Sequence, residues 1–210
     1  MLEVRHLECI RGERSLFTPI TFRLQAGELL YLRGDNGSGK TSVLRMLCGL
    51  FLPASGQILW RGLPINEWGE EYWRELSFLG HHNAIKDELT PLENLLTSTG
   101  LTGVFLDEAR ALMALDELGL SGYEELPCRY LSQGQKRRVA LARLVNEPRP
   151  LWLLDEPFVA LDSAITARVA RLIVAHLQRG GLIILTTHQE IKIDVKVAHE
   201  LTLVPWQPPC

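Results

Sequence analysis

Residues Gly34-Asp35-Asn36-Gly37-Ser38-Gly39-Lys40-Thr41 fit the pattern G-x-x-x-x-G-K-[ST] at every fixed position. Glycines let a backbone curl until its N–H groups face inward at phosphate oxygens, and a following helix adds the positive end of its dipole. In such a loop Lys40 reaches the β- and γ-phosphates, the Thr41 hydroxyl sits on Mg2+, and Ser42 adds a further phosphate contact. A glycine-rich turn that matches by chance is the competing explanation. The context weighs against it: ELLYLR reads as a strand ahead, and Thr41 to Leu50 as a helix behind, with Val43, Leu44, Leu47 and Leu50 on one face.

A second constellation is Leu151-Trp152-Leu153-Leu154-Asp155-Glu156, an apolar strand ending in two carboxylates. Acids at the carboxyl end of a parallel strand lie where such sheets bind ligands. Asp155 would hold Mg2+, directly or through water. Glu156 would orient and deprotonate an attacking water, because phosphoryl transfer needs positioning and charge neutralisation more than covalent help. Solvated acids at an exposed strand end are the alternative for this fragment alone.

Two weaker signals remain. Leu131-Ser132-Gln133-Gly134-Gln135 precedes KRRVALARLV; a Ser and a Gly at a helix start can bind an anion, but an ordinary N-cap explains the fragment equally well in isolation. His188 follows the strand LIILTT, whose end turns it toward the same sheet edge as Asp155, where it can contact a γ-phosphate and hold the attacking water in line.

The elements that must position these residues alternate between strand and helix. Strands are predicted over Leu2–Leu7, Ile20–Leu24, Glu28–Arg33, Gln57–Trp60, Leu76–Gly80, Leu151–Leu154, Leu182–Thr186 and Glu200–Val204. A helix begins at Thr90–Leu96, where Thr90, Pro91 and Glu93 form a capping box. Others cover Asp107–Leu118, Gln135–Asn146 and Asp162–Gln178, and Gly119, Pro148 and Gly180-Gly181 mark their exits. The result is an α/β fold with a mainly parallel sheet and right-handed crossovers. A helical subdomain, roughly residues 84 to 148, is inserted into the core of a single domain spanning 1–210.

Composition narrows the class. With 46% hydrophobic and 22% charged residues in 210, a packed core is expected and disordered or fibrous classes are excluded. The net charge of -3 argues against sequence-independent binding of nucleic acid. Cys9, Cys48, Cys128 and Cys210 are scattered without C-x-x-C spacing, which predicts neither zinc nor disulfides and fits a reducing compartment. No run approaches about 18 uninterrupted apolar residues, and MLEVRHLECIRGER lacks the apolar core of a signal peptide. A chain kept in the cytosol is expected, held at a membrane only by a partner.

Taken in order, GDNGSGKT, LSQGQ, LWLLDE, the turn Ala160-Leu161-Asp162 and His188 resemble the ABC transporter ATPase family over essentially the whole chain. LS-x-GQ about twenty residues ahead of the acidic strand is the specific part, since a phosphate loop alone leaves kinases and GTPases open. The resemblance implies a P-loop NTPase (RecA-like) core with a small antiparallel N-terminal β part, ATP and Mg2+ as ligands, and a head-to-tail dimer closed by ATP. In that dimer Ser132 and Gly134 would cap the γ-phosphate of ATP held by the other copy, with Asp162 at the seam. It also implies an integral membrane transporter subunit as partner.

Two positions depart from the family pattern. His81 stands in Leu79-Gly80-His81-His82 where the family has a glutamine, and Arg11 stands where an aromatic residue stacks on adenine, so that either the Arg11 guanidinium stacks or Phe17 substitutes. GHHNAIKDELTPLENL, with PLWLLDEPFVALD, looks like the cytochrome c biogenesis ATP-binding export subfamily. That implies haem-handling cytochrome maturation proteins as partners, a peripheral place at the cytoplasmic face of the inner membrane, and a role in haem export. The alternatives are a motor for another cargo, or a soluble ATPase of the family acting on ribosome or DNA. The interval Lys40–Leu131 shows no sustained heptads, as a DNA-repair member's coiled coil would, and Lys40, Asp155, Glu156 and His188 are all present, against a purely regulatory subunit. Trp60, Trp68 and Trp73 are expected to pack in the core, and the tail VPWQPPC to have no structure of its own.

Overall fold

The computed structural model describes residues 1–12 and 14–206. Its elements in chain order are β1 (Leu2–Glu8), β2 (Ile10–Arg11), β3 (Arg14–Ser15), β4 (Ile20–Leu24), β5 (Leu29–Arg33), α1 (Lys40–Leu47), β6 (Ser55–Trp60) and β7 (Leu63–Pro64). There follow α2 (Ile65–Trp68), α3 (Glu70–Trp73), β8 (Leu76–Leu79), α4 (Pro91–Leu101), α5 (Glu108–Glu117) and α6 (Gln133–Ala142). β9 (Leu151–Asp155), α7 (Ser163–Gln178), β10 (Leu182–Thr186) and β11 (Ala198–Thr202) complete it.

The chain divides into two compact units. The first holds Met1–Phe78, Arg149–Glu156 and His176–Cys210; the second holds Leu79–Pro148 and Pro157–Ala175. The first unit carries two sheets. One is antiparallel, in the order β4-β1-β6-β7, and matches the small N-terminal β part expected. The other runs β11-β5-β10-β9-β8, and β5, β9, β10 and β11 pair in parallel. Every residue of β9 and β10 is buried, as expected of continuous apolar strands covered on both faces.

Between the sheets lies one apolar cluster. Leu2, Val4, Leu7 and Leu24 reach it from the antiparallel sheet, and Leu153 and Ile184 from the parallel one. Val43, Leu44 and Leu47 join from α1. Burying a side chain of this size is worth about 1.5–3 kcal/mol, so α1 is anchored by three such contacts just behind the phosphate loop. That helix stops at Leu47 rather than Leu50: Cys48 caps it and Gly49 follows at φ 71°, so the last predicted turn is left outside, with Leu50 62% exposed.

The second unit is built from α4, α5, α6 and most of α7. Thr90 caps α4 through the reciprocal box with Glu93, with Pro91 at its first position. Asp107 caps α5, and Gly119 ends it at φ 69°. The predicted helix Gln135–Asn146 divides: α6 ends at Ala142, and Arg143–Asn146 tightens into a 3-10 turn ahead of Pro148. α4, which the sequence starts at Thr90, runs to Leu101. No helix among the described residues is long and apolar enough to cross a membrane.

The tryptophans separate. Trp60 is buried, Trp68 half-buried and Trp73 53% exposed, because α2 and α3 are short helices that turn only one flank inward. Tyr72 is the buried residue of α3, donating to the Leu47 carbonyl from an environment that pushes its phenol pKa up. In the tail, Pro205 bridges to Phe17, and the remainder from 207 on lies outside the described residues.

Candidate functional site

In the first unit the phosphate loop leaves the carboxyl end of β5 and enters α1 at Gly39, which adopts φ 101°. Only glycine fits there: a Cβ would stand 2.9 Å from the Phe17 ring. Gly34 is equally constrained, at φ 142° with Ser38 Oγ 2.6 Å from where its Cβ would lie. Asp35, Asn36 and Gly37 are exposed at the rim, and Ser38, Lys40 and Ser42 are buried beneath it. Lys40 Nζ donates to the Gly34 and Asp35 carbonyls at 2.7 and 3.0 Å, which places an ammonium over the loop. Ser38 Oγ is buried without a hydrogen-bond partner in a cradle of curled backbone, which is the signature of a hydroxyl placed for an incoming anion.

The carboxylates sit at the end of β9. Asp155, 2% exposed, accepts from Thr41 Oγ1 on Oδ2 at 2.8 Å and from Thr186 Oγ1 on Oδ1 at 2.7 Å. The register of β9 with β10 sets Thr186 directly beside Asp155, and parallel neighbours project their side chains from the same face. Glu156 is held at φ 51°, a left-handed conformation costly for a residue with a side chain. Its backbone N–H donates to Thr186 Oγ1 at 2.9 Å. His188 Nε2 lies 3.4 Å from Glu156 Oε1, with its ring half-exposed. The structure thus gathers Gly34–Ser42, Asp155, Glu156 and His188 at one end of the parallel sheet.

Two hard oxygen donors, Thr41 Oγ1 and Asp155 Oδ2, converge within hydrogen-bond distance beside the loop. That donor set suits Mg2+, which takes one or two protein oxygens and completes its shell with water and substrate phosphates. No cluster of three His, Cys, Asp or Glu capable of holding a metal by itself occurs among the described residues.

Ser132 and Gly134 belong to the second unit. Ser132 caps α6: its Oγ accepts from the Gln135 N–H, and the Gln135 side chain accepts from the Ser132 N–H. The residue is exposed. Gly134 lies against the Ala160 carbonyl, 2.5 Å from where a Cβ would be, so no side chain fits. Ala160 is itself left-handed at φ 62°. Asp162 caps α7 by accepting from the Ile165 N–H, and its carboxylate pairs with Arg138 of α6 at 2.5 Å. That backbone hydrogen bond is the first cause holding its pKa below the ordinary carboxylate value.

At several positions the structure goes beyond what the sequence indicates. Phe17 is fully buried beneath Gly39, so it offers no open face to an adenine ring, whereas Arg11 is exposed on the β2–β3 hairpin. His81 and His82 are exposed beyond β8, with rings 5.6 Å apart, and buried Arg137 of α6 holds the turn by donating to the Gly80 carbonyl and to Asn83. By sequence Thr186 is one more strand residue. The available signal was a polar side chain ending an otherwise apolar buried run, LIILT, at the same sheet edge as the acids.

Comparison with known proteins agrees with this geometry. The model of the family described as ABC transporter matches residues 17–159. A cytochrome c biogenesis ATP-binding export protein, CcmA, of Dechloromonas aromatica is 57% identical over 97% of this chain and 100% of that protein. Its counterpart in Nitrosomonas europaea is 49% identical over 97% and 95%. Among solved structures, a putative ABC transporter ATP-binding protein from Pyrococcus furiosus superposes with a TM-score of 0.80 at 25% identity, covering 95% of this chain and 96% of its own.

Proposed function

Because the chain belongs to the ABC transporter family, among its cytochrome c biogenesis ATP-binding export proteins, we propose that it is the motor of a haem-exporting system for cytochrome c maturation. It hydrolyses ATP and transmits the resulting motion to an integral membrane subunit. The observation that carries the reading is the intact hydrolytic set on one sheet edge, with Glu156 and His188 beside Asp155 and the phosphate loop.

Each residue has a distinct task. The loop backbone and Lys40 hold the phosphates, and Ser38 and Ser42 supply buried hydroxyls. Thr41 and Asp155 are the residues that would hold Mg2+, which when bound neutralises charge on the phosphate oxygens. Glu156 accepts a proton from the attacking water, and His188 fixes that water and the terminal phosphate in line. Ser132 and Gly134, with the N-terminus of α6, close on the γ-phosphate of ATP carried by a second copy, so a head-to-tail dimer forms on ATP and separates after hydrolysis. The chain then acts peripherally at the cytoplasmic face of the inner membrane, beside haem-handling proteins.

The test is affinity purification of the Glu156→Gln chain from detergent-solubilised membranes in ATP and Mg2+, with co-purifying chains identified by mass spectrometry. A polytopic membrane protein accompanied by cytochrome-maturation proteins is expected. A polytopic partner without them removes the haem role and keeps the motor; only ribosomal or DNA-associated proteins would overturn the transport reading.

A further inference from the structure

We infer that Thr186 is a positioning residue for both carboxylates of the hydrolytic site, acting through its single hydroxyl. The inference rests on the reading of Asp155 and Glu156 given above. The hydroxyl is fully buried and has one proton to give and lone pairs to receive. It gives the proton to Asp155 Oδ1 at 2.7 Å and receives the Glu156 N–H at 2.9 Å.

The two bonds solve different problems. The first fixes the rotation of the Asp155 carboxyl: Thr186 holds one oxygen and Thr41 the other, so the plane of the group is defined by a residue on either side. The oxygen shared with Thr41 is the one directed to the nucleotide side, and its direction depends on the far oxygen being held. The second bond stabilises the backbone of Glu156 in its left-handed conformation at φ 51°. That conformation is costly and persists only where its surroundings over-determine it. It sets the direction in which the Glu156 side chain leaves the strand, and therefore where its carboxylate meets His188 at 3.4 Å. One hydroxyl thus couples the orientation of the Mg2+-side carboxylate to that of the base. β10 contributes to the site before the chain reaches His188.

The residue is suited to an isosteric test. Thr186→Val keeps shape and β-branching but removes the hydroxyl that bonds Asp155 Oδ1 and the Glu156 N–H. Losing hydrogen bonds of this strength corresponds to about 10- to 100-fold in rate. In the dimer-forming full chain, Thr186→Val is expected to lower kcat by that factor while the KM for ATP moves less than about 3-fold. The Mg2+ concentration that half-saturates binding of a fluorescent ATP analogue is expected to rise several-fold. Thr186→Ser, which restores the hydroxyl, is expected to recover both readouts. Wild-type kcat and Mg2+ dependence in Thr186→Val would overturn the inference, as would a Thr186→Ser chain as impaired as Thr186→Val, since packing alone then explains the residue. If Thr186→Val does not fold, the same two readouts on Thr186→Ala against Thr186→Ser decide it. The underlying reading fails separately: hydrolysis by Glu156→Gln would remove the base, whereas an inactive Glu156→Gln beside a normal Thr186→Val removes only Thr186.

Discussion

The phosphate-loop end of the first unit and the LSQGQ end of the second differ in how their polar groups are satisfied. In the first, the reactive side chains hold one another: Thr41 and Thr186 grip Asp155, Thr186 grips the Glu156 backbone, and Lys40 lies over its own loop. In the second, Ser132 is exposed and its contacts are confined to its own helix cap. Gly134 is kept bare by the Ala160 carbonyl. The first region is organised to perform chemistry on a ligand it holds; the second is a surface organised to be presented. An exposed helix N-terminus with no side chain in the way can take an anion brought to it, as the head-to-tail dimer proposed above requires.

The comparison breaks most sharply at Glu156. Glu156→Gln keeps shape and the Thr186 bond but removes the carboxylate proposed as the base, and general-base removal costs about 10²- to 10⁴-fold. Turnover measured by phosphate release should fall by at least the lower figure. ATP binding should persist, and the closed dimer should accumulate on size-exclusion chromatography. Lys40→Ala acts earlier. It deletes the ammonium that lies over the loop, and the ATP dissociation constant should rise about 10- to 100-fold, since a charged hydrogen bond is worth ~1.5–3 kcal/mol. Unchanged affinity by calorimetry would mean the loop backbone alone carries phosphate binding.

The second region is tested by separating its cap from its anion. Aspartate caps a helix as well as serine does, whereas alanine costs about 1 kcal/mol. Ser132→Asp should therefore melt at the wild-type temperature while placing a carboxylate where a γ-phosphate must dock. ATP-driven dimerisation and hydrolysis should drop by 10-fold or more, with monomer ATP affinity unchanged. Ser132→Ala should do the reverse in proportion, losing some stability and less activity. A Ser132→Asp chain that hydrolyses normally would show Ser132 to be a cap and nothing else.

Much of this was legible because it is local. The glycine pattern, the acids after LWLL and the Thr90 box are each specified within a few residues, and backbone geometry follows from them without reference to the rest of the chain. What was illegible depended on neighbours distant in sequence. Thr186 matters because the register of β10 places it beside Asp155, 31 residues away, and no single strand reveals its register. By sequence Phe17 fits an adenine platform, being an aromatic near the N-terminus; only packing shows it buried beneath Gly39. The ends of α1 and α6 fall short of the apolar periodicity for a local reason. Apolar periodicity continues through Leu50 and Val145, but Gly49 and the turn before Pro148 end the helices first.

The smallest effect at working pH concerns His176. It is the buried histidine of the chain among the described residues, stacked on Trp152 at 3.8 Å and bonded to the Pro150 carbonyl at 3.1 Å at the entry to β9. Burial lowers its pKa to about 4, with the Arg179 charge acting in the same direction. The sign follows from which state takes up the proton. Above about pH 6.5 the residue is neutral whether folded or unfolded and contributes no pH dependence. Between there and about pH 4 only the unfolded chain is protonated, so stability falls as pH falls, by up to about 3 kcal/mol in all. His176→Phe keeps a ring against Trp152 and removes the titration. It should be less stable than wild type at pH 7.5, through the lost Pro150 bond, and the gap should close or invert by pH 4.5 in denaturant melts. Parallel pH profiles for the two chains would mean that His176 does not titrate between the folded and unfolded states. The acid sensitivity would then lie elsewhere.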